Sequence, residues 1–215
     1  MIVYWLLLLP TAVIAYAMGS LDTMVLASNF VFRRSLRRLG KGSVWLSNFR
    51  RVYGVGGFVR LFLVELVKDA IPILIGGLLL GFKDHAVAGR AVAGFCLVLG
   101  RLYPVFYGFK GSHASLCLCA AAFGLDVSVG GATLVMVAVV TLLGRYLSLG
   151  AIAGAATLAV VSIMVLDDTL LIRLAIFTAA LALIKHLPAL ARLLSGKEER
   201  LSTEEDLTYK LDEKF

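Results

Sequence analysis

A pair of ionisable side chains interrupts an otherwise apolar stretch of this sequence. Glu65 and Lys68 lie within the run 58–81, and a spacing of three residues places them on one face of a helix. Charge at membrane depth is expensive, so such residues usually pair with one another or face a polar cavity. Two interpretations are open: an ion pair near a helix end that satisfies itself, or a lysine directed at an anionic group of a substrate. In either case we predict that both side chains face a cavity and not the lipid.

A second polar stretch, GRLYPVFYGFKGSHASLC over residues 100–117, joins two apolar segments. Its small residues at 108–112 lead into a helix expected at Ala114. Small residues expose backbone N–H groups at a helix start, as phosphate-binding loops do. The spacing is not that of a Walker motif, so nucleotide hydrolysis is not predicted. A plain turn is the alternative interpretation.

Two more polar stretches carry small, basic and imidazole side chains: GKGSVWLSNFRR over residues 40–51, and residues 186–198. Glycine-rich basic loops are often only turns, topology signals or contacts with anionic lipid. His186 is the candidate for orienting or deprotonating a hydroxyl group. Its alternative role is that of a hydrogen-bonded histidine at a helix end.

The composition that surrounds these residues is typical of a membrane protein. Of the 215 residues 60% are apolar and 16% are charged, and the mean hydropathy is +0.92. Soluble domains have about 45–50% apolar and about 25% charged residues. The net charge of +7 is not arranged as an aromatic-interleaved basic patch, so nucleic-acid binding is not expected. Cys96, Cys117 and Cys119 lie in apolar runs without a cluster of further ligands, and no metal site is predicted.

A helix needs about 20 apolar residues to cross the hydrocarbon. Seven segments qualify, of which the fourth is short: 2–27, 58–81, 86–103, 114–123, 129–143, 149–166 and 170–187. We therefore predict an all-α polytopic membrane protein of about seven transmembrane helices. One integral domain occupies residues 1–196, and a polar cytoplasmic tail follows over residues 197–215.

The charges of the loops predict the orientation. The loop between the first two segments is strongly basic, with Arg33, Arg34, Arg37, Arg38, Lys41, Arg50 and Arg51. Further basic residues follow the third and fifth segments, whereas acidic residues mark the remaining loops. With seven crossings, every basic loop lies on one side. By the positive-inside rule the N-terminus is outside and the tail is cytoplasmic. We predict a multi-pass protein of the cell inner membrane with its polar site at the cytoplasmic face.

Taken together, the polar stretches resemble the bacterial acyl-phosphate-dependent glycerol-3-phosphate acyltransferases, which are small integral membrane enzymes. The similarity extends from Gly19 to Glu198, with the motifs in family order. The matching positions are Gly40, Gly42, Asn48, Arg51 and Gly54; Glu65, where the family usually has aspartate, and Lys68; Gly100, Pro104, Val105, Phe106, Phe109, Lys110 and Gly111; residues 145–152; and His186, Arg192, Leu193, Leu194, Gly196 and Glu198.

The resemblance implies transfer of a fatty acyl group from acyl-phosphate to glycerol 3-phosphate, giving lysophosphatidic acid for phospholipid synthesis. Its implied partners are these two substrates and membrane lipids, and no cofactor is implied. The implied catalytic residues are His186 and Ser43. The implied substrate-binding residues are Gly40, Gly42, Ser47, Asn48, Arg51, Lys68, Lys110, Gly111, Ser112, His113, Arg145 and Ser148. The implied structural residues are Glu65, Arg192 and Glu198.

Several positions depart from the family pattern. Lys41 stands where the family has a serine, Arg101 where it has a histidine, Ala189 where it has an asparagine and Asp22 where it has a proline. Ser112, His113 and Ala114 stand where the family has two glycines and a lysine. We expect Lys41 and Arg101 to supply anion-binding charge through their side chains, and activity with glycerol 3-phosphate to be weak. The alternatives are a non-catalytic paralogue that binds lipid or a partner, and an acyltransferase with another phosphorylated acceptor. A transporter is disfavoured because the polar residues cluster at one face.

Overall fold

The computed structural model describes residues 2–26, 46–82, 85–111 and 114–198. Within these ranges the regular elements are helical, in agreement with the predicted all-α class. The α-helices are, in chain order, α1 (Ile2–Ser20), α2 (Thr23–Leu26), α3 (Leu46–Gly81), α4 (Ala86–Leu102), α5 (Ser115–Leu125), α6 (Val127–Gly144), α7 (Leu147–Val165) and α8 (Thr169–Leu194). A 3₁₀ turn at Val105–Tyr107 follows α4.

A helix lies on each of the seven predicted segments, but three boundaries differ. Helix α1 ends at Ser20, and two residues separate it from the short α2. Helix α3 begins at Leu46, well before the apolar run starts at residue 58. Helix α8 continues past residue 187 to Leu194. Apolar content predicts which residues lie in the hydrocarbon, whereas the hydrogen-bonded backbone of a helix extends into polar sequence.

Among the described residues, four stretches are helical, long and apolar enough to cross a membrane: Ala86–Tyr107, Val127–Gly144, Leu147–Val165 and Thr169–Leu194. Two shorter apolar helices are Leu6–Ser20 and Ser115–Leu125. Helix α3 has the length of a span, and its central turns contain Arg60, Glu65, Lys68 and Asp69. The fold is therefore that of a helical membrane protein. The count of seven crossings and the orientation stay predictions.

Helix α4 lies at the centre of the bundle and packs against α1, α3, α5 and α8. Its Leu97 and Leu102 are fully buried. The crossing with α1 is made at backbone distance: a Cβ on Gly19 would lie within 3.0 Å of the Leu97 carbonyl group, and one on Gly100 equally close to the Tyr16 carbonyl oxygen. Small residues permit such close crossings, which favour helix association in membranes.

Short connections join the last four helices. Asp126 ends α5 and caps α6, accepting a hydrogen bond from the Ser128 N–H at 2.7 Å. This bond holds the pKa of Asp126 below its usual range. Asp168 caps α8 in the same way, accepting from the Leu170 N–H at 2.7 Å. Arg145, with a φ of 58°, ends α6 in the left-handed conformation. These tight turns make α6, α7 and α8 successive packed neighbours.

Helix α3 has two faces of opposite character. Leu63, Val67 and Leu74 are more than half exposed, as expected for side chains that face lipid. On the other face Glu65 and Asp69 are 3% and 0% exposed. The buried face of this helix therefore carries charge into the bundle, and it positions the polar site described next.

Candidate functional site

Lys68 lies between the two buried carboxylates of α3. Its Nζ is 3.1 Å from Glu65 Oε1 and 3.2 Å from Asp69 Oδ1, and it donates a hydrogen bond to the Leu21 carbonyl oxygen at 2.9 Å. The Leu21 carbonyl oxygen is the hydrogen-bond acceptor of Lys68, and the two carboxylates are its close ion-pair partners. The structure thus shows the ion pair, one of the two open interpretations. Neither charged head group faces the lipid.

Arg101, in the last turn of α4, contacts one of these two carboxylates, Glu65. Its Nη2 is ion-paired with Glu65 Oε1, and its Nη1 lies 4.0 Å from Asp22 Oδ1. Nη1 also donates to the Leu21 carbonyl oxygen at 3.4 Å. Because Arg101 is only 4% exposed and paired with carboxylates, the expectation that it supplies anion-binding charge is wrong. Two departures from the family pattern, Asp22 and Arg101, therefore compensate each other inside the bundle.

These side chains form what we call the buried ion cluster: Asp22, Glu65, Lys68, Asp69 and Arg101. The Cys117 thiol of α5 donates to Asp69 Oδ2 at 3.0 Å, so the cluster links α5 to α3, to α4 and to the junction of α1 with α2. Glu65, Asp69 and Cys117 place donor atoms within 4.8 Å of one another, close enough to share a metal ion. Lys68 already contacts both carboxylates, however, and with Arg101 it would repel a metal cation. The geometry therefore favours ion pairing.

The residues after α4 form a tight loop, which we call the Lys110 loop (residues 104–111). The Phe109 N–H donates to the Pro104 carbonyl oxygen at 2.9 Å. Gly108 and Phe109 have φ values of 62° and 60°, in the left-handed region. The backbone reverses direction over these residues. Lys110 follows the turn, and its side chain is exposed. A lysine on a tight turn is in place to meet an anion that arrives from solvent.

Gly111 fixes the far end of the loop. A Cβ at this position would lie within 3.0 Å of the carbonyl oxygens of Arg101 and Leu102, so only glycine fits against the end of α4. Helix α5 then begins at Ser115, with Ala114 at its N-cap position and without a side-chain cap. N–H groups and the dipole of a helix N-terminus attract anions, and the phosphate-binding role of this loop stays a prediction.

His186 and Ser148 are both buried. His186 Nδ1 lies 2.7 Å from the Ala182 carbonyl oxygen. A carbonyl oxygen can only accept, so Nδ1 carries the proton and Nε2 is the basic nitrogen of the neutral ring. This is the arrangement that a general base requires. Ser148, in the first turn of α7, is 0% exposed, and its Oγ has no hydrogen-bond partner within the described part of the chain.

The stretch after α8 is held by a second ion pair. Arg192 Nε donates to Glu198 Oε2 at 2.8 Å, and Glu198 is 7% exposed. The Lys197 N–H donates to the Arg192 carbonyl oxygen at 2.8 Å and closes the helix end. Arg145 is a further exposed basic residue, in the connection between α6 and α7. The structural role of Arg192 and Glu198 stays a prediction, and their ion pair is compatible with it.

The polar stretch 40–51 is only partly within the structure. Five candidate residues lie outside the described ranges: Gly40, Gly42, Ser43, Ser112 and His113. Ser47, Asn48 and Arg51 lie in the first turns of α3. The structure brings Glu65 and Lys68 together in the buried ion cluster, and it places Lys110 and Gly111 against the end of α4.

Three contacts were not predicted from the sequence. Asp69 is the second carboxylate on Lys68, and its position beside that lysine in an apolar run was a signal that could have been used. Cys117 bonds to Asp69 only because α5 packs on α3, which no local pattern reveals. Lys185 Nζ lies 4.5 Å from the centroid of the Tyr103 ring, a cation–π contact between α8 and the end of α4.

The fold is a helical membrane bundle in which Lys110 and Arg145 are exposed after α4 and α6 and His186 is buried in α8. Residues 9–196 match the family model described as glycerol-3-phosphate acyltransferase. The chain therefore belongs to the glycerol-3-phosphate acyltransferase family, which confirms the resemblance and the predicted class, a membrane acyltransferase.

Individual relatives agree with the family model. The chain is 27% identical over 197 residues to the glycerol-3-phosphate acyltransferase of Thermoanaerobacter pseudethanolicus, covering 92% of this chain and 97% of the relative. It is 31% identical over 194 residues to that of Geobacter sulfurreducens, covering 90% and 96%. Crystal structures of PlsY, an integral membrane glycerol 3-phosphate acyltransferase, superpose with TM-scores of 0.76 for the glycerol 3-phosphate form and 0.74 for the lysophosphatidic acid form. Each is 27% identical and covers 91% of this chain and 96% of that chain.

Proposed function

We propose that this chain transfers a fatty acyl group from an acyl-phosphate to the 1-hydroxyl of glycerol 3-phosphate, at the cytoplasmic face of the cell inner membrane. Its family, and its likeness to PlsY in glycerol 3-phosphate and lysophosphatidic acid forms, support this acceptor and product. The observation that carries the proposal is the Lys110 loop, an exposed lysine on a tight turn just before the N-terminus of α5.

An acyl-phosphate is already activated, so the site works mainly by orienting the two substrates. The acceptor hydroxyl oxygen attacks the acyl carbonyl carbon and forms the ester bond. The bond between that carbon and the phosphate oxygen breaks, and its electron pair leaves with the phosphate. The hydroxyl proton passes to His186 Nε2 and then to the departing phosphate. The products are lysophosphatidic acid and inorganic phosphate, and the balance needs no cofactor.

Both substrates carry phosphate, so cationic side chains supply the binding. We assign this role to Lys110, Arg145 and Arg51, the first two of which are exposed. Lys68 lies between two buried carboxylates and would bind substrate only by exchanging one of them. Further binding residues in the proposal are Gly40, Gly42, Ser47, Asn48, Gly111, Ser112, His113 and Ser148. Ser43 is assigned a catalytic role in addition to His186.

The comparisons give no support to a non-catalytic paralogue or to another phosphorylated acceptor, because the relatives reported above are named glycerol-3-phosphate acyltransferases. The altered motif positions still predict a low rate. Restoring the family pattern with Lys41→Ser, Ser112→Gly, His113→Lys and Ala114→Gly is expected to raise kcat/KM for glycerol 3-phosphate. An equal or higher value for the unaltered chain would show that these substitutions do not limit the reaction.

The decisive test is a direct assay of purified protein in detergent, with a long-chain acyl-phosphate and glycerol 3-phosphate and with mass-spectrometric detection of lysophosphatidic acid. Lys110→Met should raise KM for glycerol 3-phosphate about tenfold or more, because a charge-assisted hydrogen bond contributes about 1.5–3 kcal/mol. The matched control is Lys197→Met, which removes another exposed lysine. Folded protein that forms no lysophosphatidic acid would overturn the proposal.

A further inference from the structure

We infer that Arg101 is a positioning residue that acts through Glu65 to hold the Lys110 loop in place. The inference rests on the proposed function only where it assigns phosphate binding to Lys110. The connection between Arg101 and Lys110 is argued from the contacts among α3, α4 and the loop.

Both ends of the Lys110 loop are tied to the last turn of α4. At its start, the Tyr103 N–H donates to the Leu99 carbonyl oxygen at 2.9 Å, so the helix leads directly into Pro104. At its end, Gly111 lies against the carbonyl oxygens of Arg101 and Leu102, so closely that a Cβ has no room. The position of Lys110 therefore follows the position of this helical turn.

The side chain of Arg101 connects that same turn to α3. Its guanidinium group contacts Glu65 Oε1 through one nitrogen and the Leu21 carbonyl oxygen through the other, at 3.4 Å. A planar group bound at two nitrogens resists rotation about the helix axis. Glu65 is itself held by Lys68 at 3.1 Å. Arg101 thus fixes the turn that supports the loop.

Arg101 cannot serve the substrate directly while these contacts exist. It is 4% exposed, and Glu65 and Asp22 neutralise its charge. Its loss would remove no phosphate contact but would release the turn under Lys110. The expected signature is weaker binding of the phosphorylated acceptor, together with a more mobile loop.

The first experiment compares Arg101→Met, Arg101→Lys and Arg173→Met in the purified full chain. Arg173→Met is the matched control, because Arg173 is an exposed arginine near the start of α8. Arg101→Met should raise KM for glycerol 3-phosphate about tenfold with a smaller change in kcat, since a displaced Lys110 loses its charge-assisted hydrogen bond to the phosphate. Arg101→Lys, which keeps the charge but not the planar fork, should recover part of the loss. The control should match the unaltered chain.

A second measurement does not depend on activity. A spin label at Phe106→Cys, in a chain with Cys96→Ala, reports the mobility of the loop, because Phe106 is 59% exposed whereas Cys117 and Cys119 are buried. Its spectrum should become more mobile in Arg101→Met and stay unchanged in Arg173→Met. If Arg101→Met does not fold, the double variant Glu65→Gln and Arg101→Met takes its place. It removes both charges of the pair and so avoids a lone buried carboxylate. Its spin-label spectrum should show the same mobile loop.

The outcomes separate the two proposals. A mobilised label in a chain that never forms lysophosphatidic acid would support the role of Arg101 and overturn the proposed function. A raised KM with an unchanged label would show direct contact with the substrate and overturn the positioning role. The positioning role is also wrong if both KM and the label spectrum of Arg101→Met equal those of the unaltered chain.

Discussion

Lys68 and Lys110 show how burial changes the use of one side-chain type. Lys68 is ion-paired with Glu65 and Asp69 and donates a hydrogen bond to the Leu21 carbonyl oxygen, inside the bundle. Lys110 is exposed at the end of a tight turn. Taking a charge out of water costs several kcal/mol, which only close and well-oriented partners offset. Lys68 therefore stabilises its carboxylates, and in the proposed function Lys110 is the lysine that meets an incoming phosphate.

Removing Lys68 tests the first of these roles. Lys68→Met leaves Glu65 and Asp69 buried beside each other, with Arg101 as their remaining cation. We expect a loss of stability of about 3–5 kcal/mol, as for other buried pairs with one partner removed. Thermal unfolding in detergent measures it. Lys68→Met combined with Asp69→Asn should recover part of the loss, and an unfolding midpoint of Lys68→Met equal to that of the unaltered chain would contradict the assignment.

His186 permits a prediction about rate. If its Nε2 accepts the hydroxyl proton, His186→Gln should lower kcat about a hundredfold or more while KM changes little. The rate of lysophosphatidic acid formation measures the effect. His85→Gln is the matched control, because His85 is exposed just before the first turn of α4, at the opposite end of that helix from the Lys110 loop. Equal losses in the two variants would show that His186 acts only through the fold.

At the scale of helices, two glycines predict opposite effects of the same substitution. Gly19→Ala places a methyl group against the Leu97 backbone at the crossing of α1 and α4, where neither helix can give way. We expect a loss of about 1–3 kcal/mol from overpacking. Gly131→Ala in α6 meets no atom within 4 Å and should leave stability unchanged or raise it by up to about 1 kcal/mol. Thermal unfolding of both variants checks this, and similar midpoints would refute the packing account.

The helices were largely predictable because lipid selects for apolar runs, and each of the seven runs contains a helix. Their ends were less predictable. The break at Leu21 and Asp22 is stabilised by Lys68 and Arg101, which donate to the Leu21 carbonyl oxygen from α3 and α4. Contacts from distant helices leave no mark in the local sequence. The early start of α3 at Leu46 was missed because polar residues also form helices.

The sequence offers candidates for the site but not all of their contacts. Lys110 and Gly111 are candidates because a basic residue among small ones before a helix has a local signature. Arg101 was interpreted wrongly, since its sequence neighbours say nothing of Glu65, which lies 36 residues earlier in the chain. Its true partner follows only from the packing of α3 on α4. Charges that pair across helices are thus the part of the site that sequence alone does not reveal.

At the scale of the whole molecule, the topology depends on α5. This helix has 11 residues, a rise of about 16 Å at about 1.5 Å per residue, against a hydrocarbon core of about 30 Å. If the chain crosses the membrane there, the ends of α4 and α6 lie on one side, and Lys110 and Arg145 can serve one site. If it does not, those two residues lie on opposite sides. The proposed function therefore requires the crossing.

Cysteine labelling determines on which side each loop lies. Single cysteines at Asp126, Lys41 and Arg145 would be exposed to a membrane-impermeant maleimide, with the unaltered chain as the background control. Cys117 and Cys119 are buried, and the partly buried Cys96 is replaced by alanine in every variant and in the control so that this background is low. With seven crossings and the N-terminus outside, Asp126→Cys reacts on the outer side of an intact membrane. Lys41→Cys and Arg145→Cys should react only after the membrane is opened. Labelling of Asp126→Cys and Lys41→Cys from one side would refute this topology. Labelling of Arg145→Cys from outside would place Arg145 on the opposite side of the membrane from the Lys110 loop and would refute the shared phosphate site.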